Sequence, residues 1–458
     1  MDSVFFYVIT LCFRNKNITL QCIKFINMRR FLVFFFANIL IIGSSYAQKH
    51  YVGGDISLIP AYEEAKDVYL SYDGTKISDL ITYLKETCEW NSARVRLFVE
   101  PNGKDHNGKT DHAVCQDLEY VVKLGKRIKD AGMAFMLDFH YTDTWADPAY
   151  QQIPSRWPKD NEEVLADSLY NYTKNCLRVL SENGVKPDFV QIGNEISYGM
   201  LLRNDKDKVF PSQDKSKCAS QWERLSNLLN KASKAVREAC PEAKIIIHTE
   251  RSGEAAQSTN FYTYIKDVDY DIIGLSYYPF WHNDLKALGK TIESLTTTIP
   301  DKKIQIVETA YYHQYFPSDA TYKTTNTWSA DAKGQYNYVK DLIYELLKYN
   351  QVDGLYYWFP EECGNGYKKT VIEGWVNRGL WEDGWQVEQH KPITITANQN
   401  DGALYILKNF ANNKDIESIE SSIIDNKNNH RYNLSGQKID NANRGELYIQ
   451  NGKKYISK

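Results

Sequence analysis

The sequence predicts a (β/α)8 TIM barrel with a short β-rich C-terminal tail, and two observations carry that prediction. Between Tyr51 and Trp358, short apolar runs alternate with longer stretches of helical periodicity, the pattern of a parallel α/β fold. Polar and aromatic residues then gather at the C-terminal end of nearly every run: Arg96, His140, Asn194 with Glu195, His248, Tyr277 with Tyr278, Glu308 and Trp358. In a barrel all those ends open on one face, where the loops after the strands build the site. A purely structural placement would scatter such residues over both ends.

The elements follow in order. Met28 is followed by Arg29 and Arg30, the apolar run Phe31 to Ile42, and Ser45-Tyr46-Ala47. That is the layout of a signal peptide cleaved before Gln48, so residues 1–47 are expected to be an export region with Met28 as the start. The run is too short to span a membrane, and no Cys follows to carry a lipid. The mature chain is expected in the periplasm, at the cell surface or outside the cell. Eight runs read as strands: Tyr51 to Ser57, Ala93 to Val99, Ala134 to His140, Phe189 to Glu195, Lys244 to His248, Asp271 to Tyr278, Ile304 to Glu308 and Gly354 to Trp358. Eight is the number that closes a barrel. Between them, Val121, Val122, Leu124 and Ile128, then Leu177, Val179 and Leu180, carry a helical period, with Gly132 and Gly184 where helices should stop. A doubly wound open sheet competes, but no Gly-rich nucleotide loop follows the first strand. The barrel is expected over residues 48–411.

After Phe410 the chain turns to Asn, Asp, Lys and Ser, ending in the hairpin-like stretch Gly445 to Lys458. Residues 412–458 are expected to be a linker and small tail. Arg431 to Lys438 and Glu446 to Lys454 resemble the β-rich tails of exported bacterial hydrolases, including type IX sorting tails, which implies an export machinery as partner. The competing reading is a disordered linker with a terminal hairpin.

Composition narrows the partners. A formal charge of −3 gives no reason to expect nucleic acid, and nothing in the chain calls for a second copy, so a monomer is expected. Tyr (33) and Trp (10) are more numerous than a core needs, and both stack on sugar faces, although most can equally serve packing. Six Cys follow the export region, at 88, 115, 176, 218, 240 and 363. Their irregular spacing shows no metal pattern and leaves disulfides and buried thiols both open.

Hydrolysing a glycosidic bond with retention needs two carboxyl groups about 5 to 5.5 Å apart, one protonated to assist the leaving oxygen and one ionised to attack the anomeric carbon. Glu195 and Glu308 end the fourth and seventh predicted strands and so face one cavity. Arg96 and a hydroxyl from Tyr277 or Tyr278 are expected to keep the nucleophile ionised. His140 and His248 are expected to orient these groups, with a satisfied core histidine as the alternative for each. Sugar platforms are expected from Trp145, Trp281 and Trp358, and polar contacts from Asp147 and His282. Trp375, Trp381 and Trp385 could extend the groove or pack the barrel.

Asn-Glu ending strand four with a Glu ending strand seven resembles the large barrel clan of retaining glycosidases. Gly54-Asp55-Ile56-Ser57, Arg94-Val95-Arg96-Leu97, Asp138 to Pro148, Gln191-Ile192-Gly193-Asn194-Glu195 and Gly274 to His282 narrow the resemblance to glycoside hydrolase family 53, over roughly residues 50 to 410. That family consists of endo-β-1,4-galactanases. The resemblance implies Glu195 as acid/base, Glu308 as nucleophile, Asn194 on the substrate 2-hydroxyl, Tyr278 and Arg96 in support, and β-1,4-galactan as substrate. It implies no cofactor. Calcium is the one ion it raises, and the acidic calcium loop of several bacterial members is replaced here by Tyr311 to Asp319. Two other activities stay open: a different β-1,4-glycanase of the clan, such as a glucanase or mannanase, and a glycan-binding protein without catalysis.

Overall fold

Eight parallel strands hydrogen-bond in chain order and close on one another, β8 pairing back with β1. They are β1 (Tyr51–Asp55), β2 (Ser92–Leu97), β3 (Ala134–Phe139), β4 (Phe189–Ile192), β5 (Lys244–Thr249), β6 (Ile272–Ser276), β7 (Lys303–Glu308) and β8 (Val352–Trp358). The predicted (β/α)8 barrel is the observed one. The computed structural model describes residues 50–316, 327–363, 375, 377–382, 389–396 and 401–412, with four short strands between 431 and 456. The export region, residues 317–319 of the aromatic loop, Trp385 and the linker after residue 412 lie outside the described residues.

The main helices after the first seven strands are α1 (Leu80–Glu86), α2 (Leu118–Asp130), α3 (Glu162–Glu182), α4 (Ala219–Ala239), α5 (Ala255–Tyr264), α6 (Leu285–Thr298) and α7 (Ala332–Leu346), with shorter ones at Ile59–Glu64 and Pro279–His282. Asp79, Asp117, Asn161, Asp284 and Asp331 cap five of them, each side chain accepting an orphan N–H of the first turn. Gly132 and Gly184, at φ 73° and 74°, end α2 and α3 in the left-handed conformation that the sequence reserved for them. Val121, Leu124 and Ile128 of α2 and Leu177 and Leu180 of α3 are buried, whereas Val122 and Val179 sit at the margin of the apolar stripe. Of two short helices, Ala403–Ile406 packs on α7 and Lys408–Ala411 on β1. Among the described residues no helix is long and apolar enough to cross a membrane.

Along β2 the side chains alternate. Ala93, Val95 and Leu97 join the large core between barrel and helices, while Arg94 and Arg96 point inward. The inward positions form layers. Ala134, Met136, Phe189, Ile246, Ile272, Val307 and Tyr356 make an apolar plug, and above it lie Asp55, Arg94, Arg96, Asp138, Gln191 and His248, all fully buried. Five expected strands run shorter at the mouth than the apolar pattern suggests, β1 ending at Asp55, β2 at Leu97, β3 at Phe139, β4 at Ile192 and β6 at Ser276. Gly193 and Glu195 leave β4 with φ of 98° and 50°, and Tyr277 and Tyr278 leave β6. A register shift at Ser276 sets it opposite Glu308 of β7. Beyond the barrel, Arg431–Tyr432, Lys438–Ile439, Leu447–Gln450 and Lys453–Ile456 form a four-stranded sheet, the last two pairing antiparallel as a hairpin.

Candidate active site

The strand ends open on a cavity of about 560 Å³. Glu195 and Glu308 both line it, with Asn194, Tyr278, His140 and the aromatic residues Trp145, Trp281 and Trp358. Asp147 and His282 line it too, whereas Arg96 and His248 do not, and Trp375, which the sequence left between groove and packing, is also on the wall. Trp381 is not: it is fully buried, and its indole N–H donates to the Leu70 carbonyl.

Arg94 organises the floor. Its guanidinium lies 2.9 Å from Asp55 Oδ2, 2.8 Å from Asp138 Oδ2 and 3.0 Å from Glu308 Oε1, and it donates to Asn194 Oδ1 at 2.9 Å. This corrects the expectation for Arg96. Arg96 pairs with Asp55 at 2.8 Å and sets its guanidinium against Trp145 and Trp358, 4.7 and 5.1 Å from the ring centroids. The two arginines share one face of β2 at a spacing of two, and which of them reaches across to β7 depends on barrel tilt, which no single strand encodes. Arg96 instead holds the two indoles from beneath.

Glu308 accepts the Tyr278 hydroxyl at 3.0 Å, whereas the Tyr277 hydroxyl turns away to the Asn283 carbonyl. Burial pushes the Glu308 carboxyl up to about 7, against the pull of Arg94 and Tyr278. Glu195 is raised well above the usual carboxyl range, by burial first and then by the charge of Glu308, and the only opposing group of note is the Ser276 hydroxyl. The two carboxyls therefore titrate apart, with Glu195 the more reluctant to ionise.

Ser276 donates to Glu195 Oε1 at 2.7 Å and stands 2.8 Å from His248 Nε2. The other ring nitrogen of His248 is within reach of Asn194 Oδ1 (2.9 Å), the Gln191 amide (3.1 Å) and the Glu195 N–H (3.3 Å). Burial, and then Arg94, hold this imidazole neutral. Whichever ring nitrogen carries its proton, Ser276 joins it to Glu195. His248 thus lies beneath the cavity and orients Glu195. His140 faces the cavity but is tied to Asp138 (3.1 Å) and to the Ala146 N–H (3.0 Å), so it braces the partner of Arg94. Asn194 is held at both ends of its amide, its Nδ2 donating to the Ala146 carbonyl at 2.9 Å. Asp147 accepts the N–H groups of Ala149 and Tyr150 and so shapes its own turn. His282 Nδ1 accepts the Tyr278 N–H at 3.0 Å, and Trp281, 48 % exposed, stands at the rim.

Sequence reasoning passed over Arg94, Asp55, Asp138, Gln191 and Ser276, all of which stand in the motifs it quoted. The signal was their period of two: each occupies an inward position, where an uncompensated charge or amide cannot remain. It also passed over Glu250, Arg251 and Glu254, which line the cavity beyond β5 and carry no pattern of their own. Among the described residues, Asp67, Cys363 and His390 form the one group with metal-ligand atoms close together, and none of the three belongs to the aromatic loop at Tyr311.

A barrel mouth that sets two carboxyls of different acidity among aromatic walls has the layout of a glycoside hydrolase. Residues 51–410 match the family described as Glycosyl hydrolase family 53, and the chain belongs to that family. A protein of Niallia circulans described as uncharacterized is 37 % identical over 68 % of this chain and 83 % of its own length. An endo-beta-1,4-galactanase of Bacillus subtilis is 31 % identical over 73 % of this chain and 75 % of its own. Among solved structures, the family 53 catalytic domain from Ignisphaera aggregans superposes with a TM-score of 0.66 at 27 % identity, covering 79 % of this chain and 96 % of that domain.

Proposed function

We propose that the protein is an exported endo-β-1,4-galactanase that cleaves galactan, the side chain of pectin and of type I arabinogalactan, by two-step displacement with retention. The observation that carries this reading is the asymmetry of the carboxyl pair. Glu308 is held by a guanidinium and a phenol hydroxyl, which suit an ionised nucleophile, whereas Glu195 has burial and a neighbouring negative charge, which keep a proton.

In the first step Glu308 attacks the anomeric carbon from one face while Glu195 gives its proton to the departing oxygen. The glycosyl–enzyme bond forms as the glycosidic bond breaks. Glu195 then takes a proton from water, and the resulting nucleophile releases the sugar and frees Glu308. Asn194, with one amide N–H held by Ala146, has its second to offer the 2-hydroxyl, a contact that tightens as charge develops on the ring. Trp145, Trp358, Trp375 and Trp281 supply stacking surfaces along the cleft. The galactan assignment is supported by the names of relatives such as that from Bacillus subtilis. Export is supported by the signal-like segment before Gln48.

Reducing-sugar release from galactan, mannan and cellulose derivatives tests the substrate. Release from galactan alone is expected; release from one of the others without galactan would sink the assignment. Glu308→Ala is expected to abolish turnover while oligosaccharide binding stays measurable, and substantial residual turnover would reject the nucleophile. Glu195→Ala is expected to spare substrates with good leaving groups most. If all substrates slowed equally, Glu195 would not be the acid.

A further inference from the structure

One wall of the cavity is built of charge. Glu250 and Arg251 line it just beyond β5, joined by Glu254, the residue that opens α5. Arg251 is fixed from several sides. Its Nε lies 2.9 Å from Glu250 Oε1 and its Nη1 3.0 Å from Glu254 Oε1. Its Nη2 donates to the Tyr198 hydroxyl, and the guanidinium lies 4.8 Å over the Tyr198 ring. Glu250 in turn accepts the Ser197 hydroxyl at 2.6 Å. Ser197 and Tyr198 follow Glu195 closely, so this wall and the acid share a loop.

A neutral glycan needs no counter-charge, and an ion pair on a cavity wall is costly to desolvate. What such a pair offers is rigidity: donors and acceptors held in place before a hydroxyl arrives. A guanidinium carries five N–H groups in a fixed fork. Two are engaged in hydrogen bonds, to Glu254 and Tyr198, and the Arg251 side chain is 17 % exposed. The position of the wall names the sugar it would meet. β5 stands beside β4 and its Glu195, whereas Glu308 and Trp358 end β7 and β8 across the mouth. An acid faces the leaving oxygen, so the departing sugar lies on the β4–β5 side.

We propose that Arg251, braced by Glu250, Glu254 and Tyr198, binds hydroxyls flanking the leaving oxygen and is the specificity residue of the subsite for the departing sugar. By microscopic reversibility the same subsite holds an acceptor sugar when the glycosyl group is transferred rather than hydrolysed. This rests on the retaining galactanase reading above.

The test compares β-1,4-galactan with an aryl β-1,4-galactobioside, whose departing group is a phenolate instead of a sugar. Arg251→Ala is expected to lower kcat/KM on galactan about tenfold more than on the aryl substrate, about the size of one lost charge-assisted hydrogen bond. It should also shift products from transfer onto added galactobiose towards hydrolysis. Arg251→Lys keeps the charge, loses the fork and recovers only part of the difference. Equal losses on the two substrates, or transfer left unaltered, overturn the proposal. If the unsubstituted protein releases nothing from galactan but cleaves another β-1,4-glycan, the substrate reading fails instead, and the same comparison on that glycan still tests Arg251.

Discussion

Arg94 meets three carboxylates, Asp55, Asp138 and Glu308, with no exposure to solvent. Removing the cation from such a cluster leaves buried charges uncompensated. Arg94→Met is expected to destabilise the fold by about 3 to 5 kcal/mol, read from the denaturant midpoint; a loss under about 1 kcal/mol would show that the cluster adjusts by protonation instead. The two catalytic candidates make opposite predictions for pH. Rate should fall as pH drops through the titration of Glu308, which must be ionised, and as it rises through that of Glu195, which must be protonated. The Tyr278 hydroxyl stabilises the ionised form of Glu308, so Tyr278→Phe should move the acid limb of kcat/KM upward by about one pH unit. Ser276 lowers the Glu195 carboxyl, so Ser276→Ala should move the alkaline limb upward and leave the acid limb in place. Movement of the other limb in either variant would reverse the assigned roles.

At the scale of elements, the seam between β1 and β2 is closed by a single register pair, Asp55 with Arg94, and the chains approach closely beside it. A methyl group on Gly53 would come within 1.9 Å of the Ser92 carbonyl oxygen, which is backbone and cannot step aside. Gly53→Ala is therefore expected to lower the melting temperature or prevent folding, and a variant with unaltered melting would mean that the seam opens more easily than its packing implies. Helices and strands were largely legible in the sequence, because apolar period and capping residues are local: Asp117 and Gly132 bracket α2 at the places where local chemistry puts them. The strand ends were less so. Gly193–Glu195 and Tyr277–Tyr278 look like strand by composition, yet the mouth pulls them from the ladder, and Glu195 takes a left-handed backbone that a local pattern does not favour.

Over the whole molecule, the buried Glu361 links loop packing to pH. Its Oε1 accepts the Leu58 N–H at 2.8 Å, its Oε2 has no hydrogen-bond partner among the described residues, and burial, then the charge of Asp55, push it up to about 8. The folded state thus keeps a proton that the unfolded chain releases near the ordinary carboxyl value. Stability falls as pH rises from about 4.5 to about 8, by about 1.4 kcal/mol for each pH unit at most, and levels off above that. Glu361→Gln is expected to gain stability over the parent at pH 8 but not at pH 5 in urea unfolding. A difference that does not vary with pH would remove Glu361 as its source.

By itself the sequence determined the barrel, the two glutamates and the family, because each is written in short-range terms: the spacing of apolar runs, the residues that end them, and contiguous motifs. Only the tertiary structure decided which arginine meets Glu308, that His248 acts on Glu195 through Ser276, and that Arg251 stands on the cavity wall. Those contacts join residues roughly 50 to more than 200 positions apart, and their geometry follows from strand tilt, register and the shift at Ser276. Such features belong to the closed sheet as a whole, and no strand carries them alone.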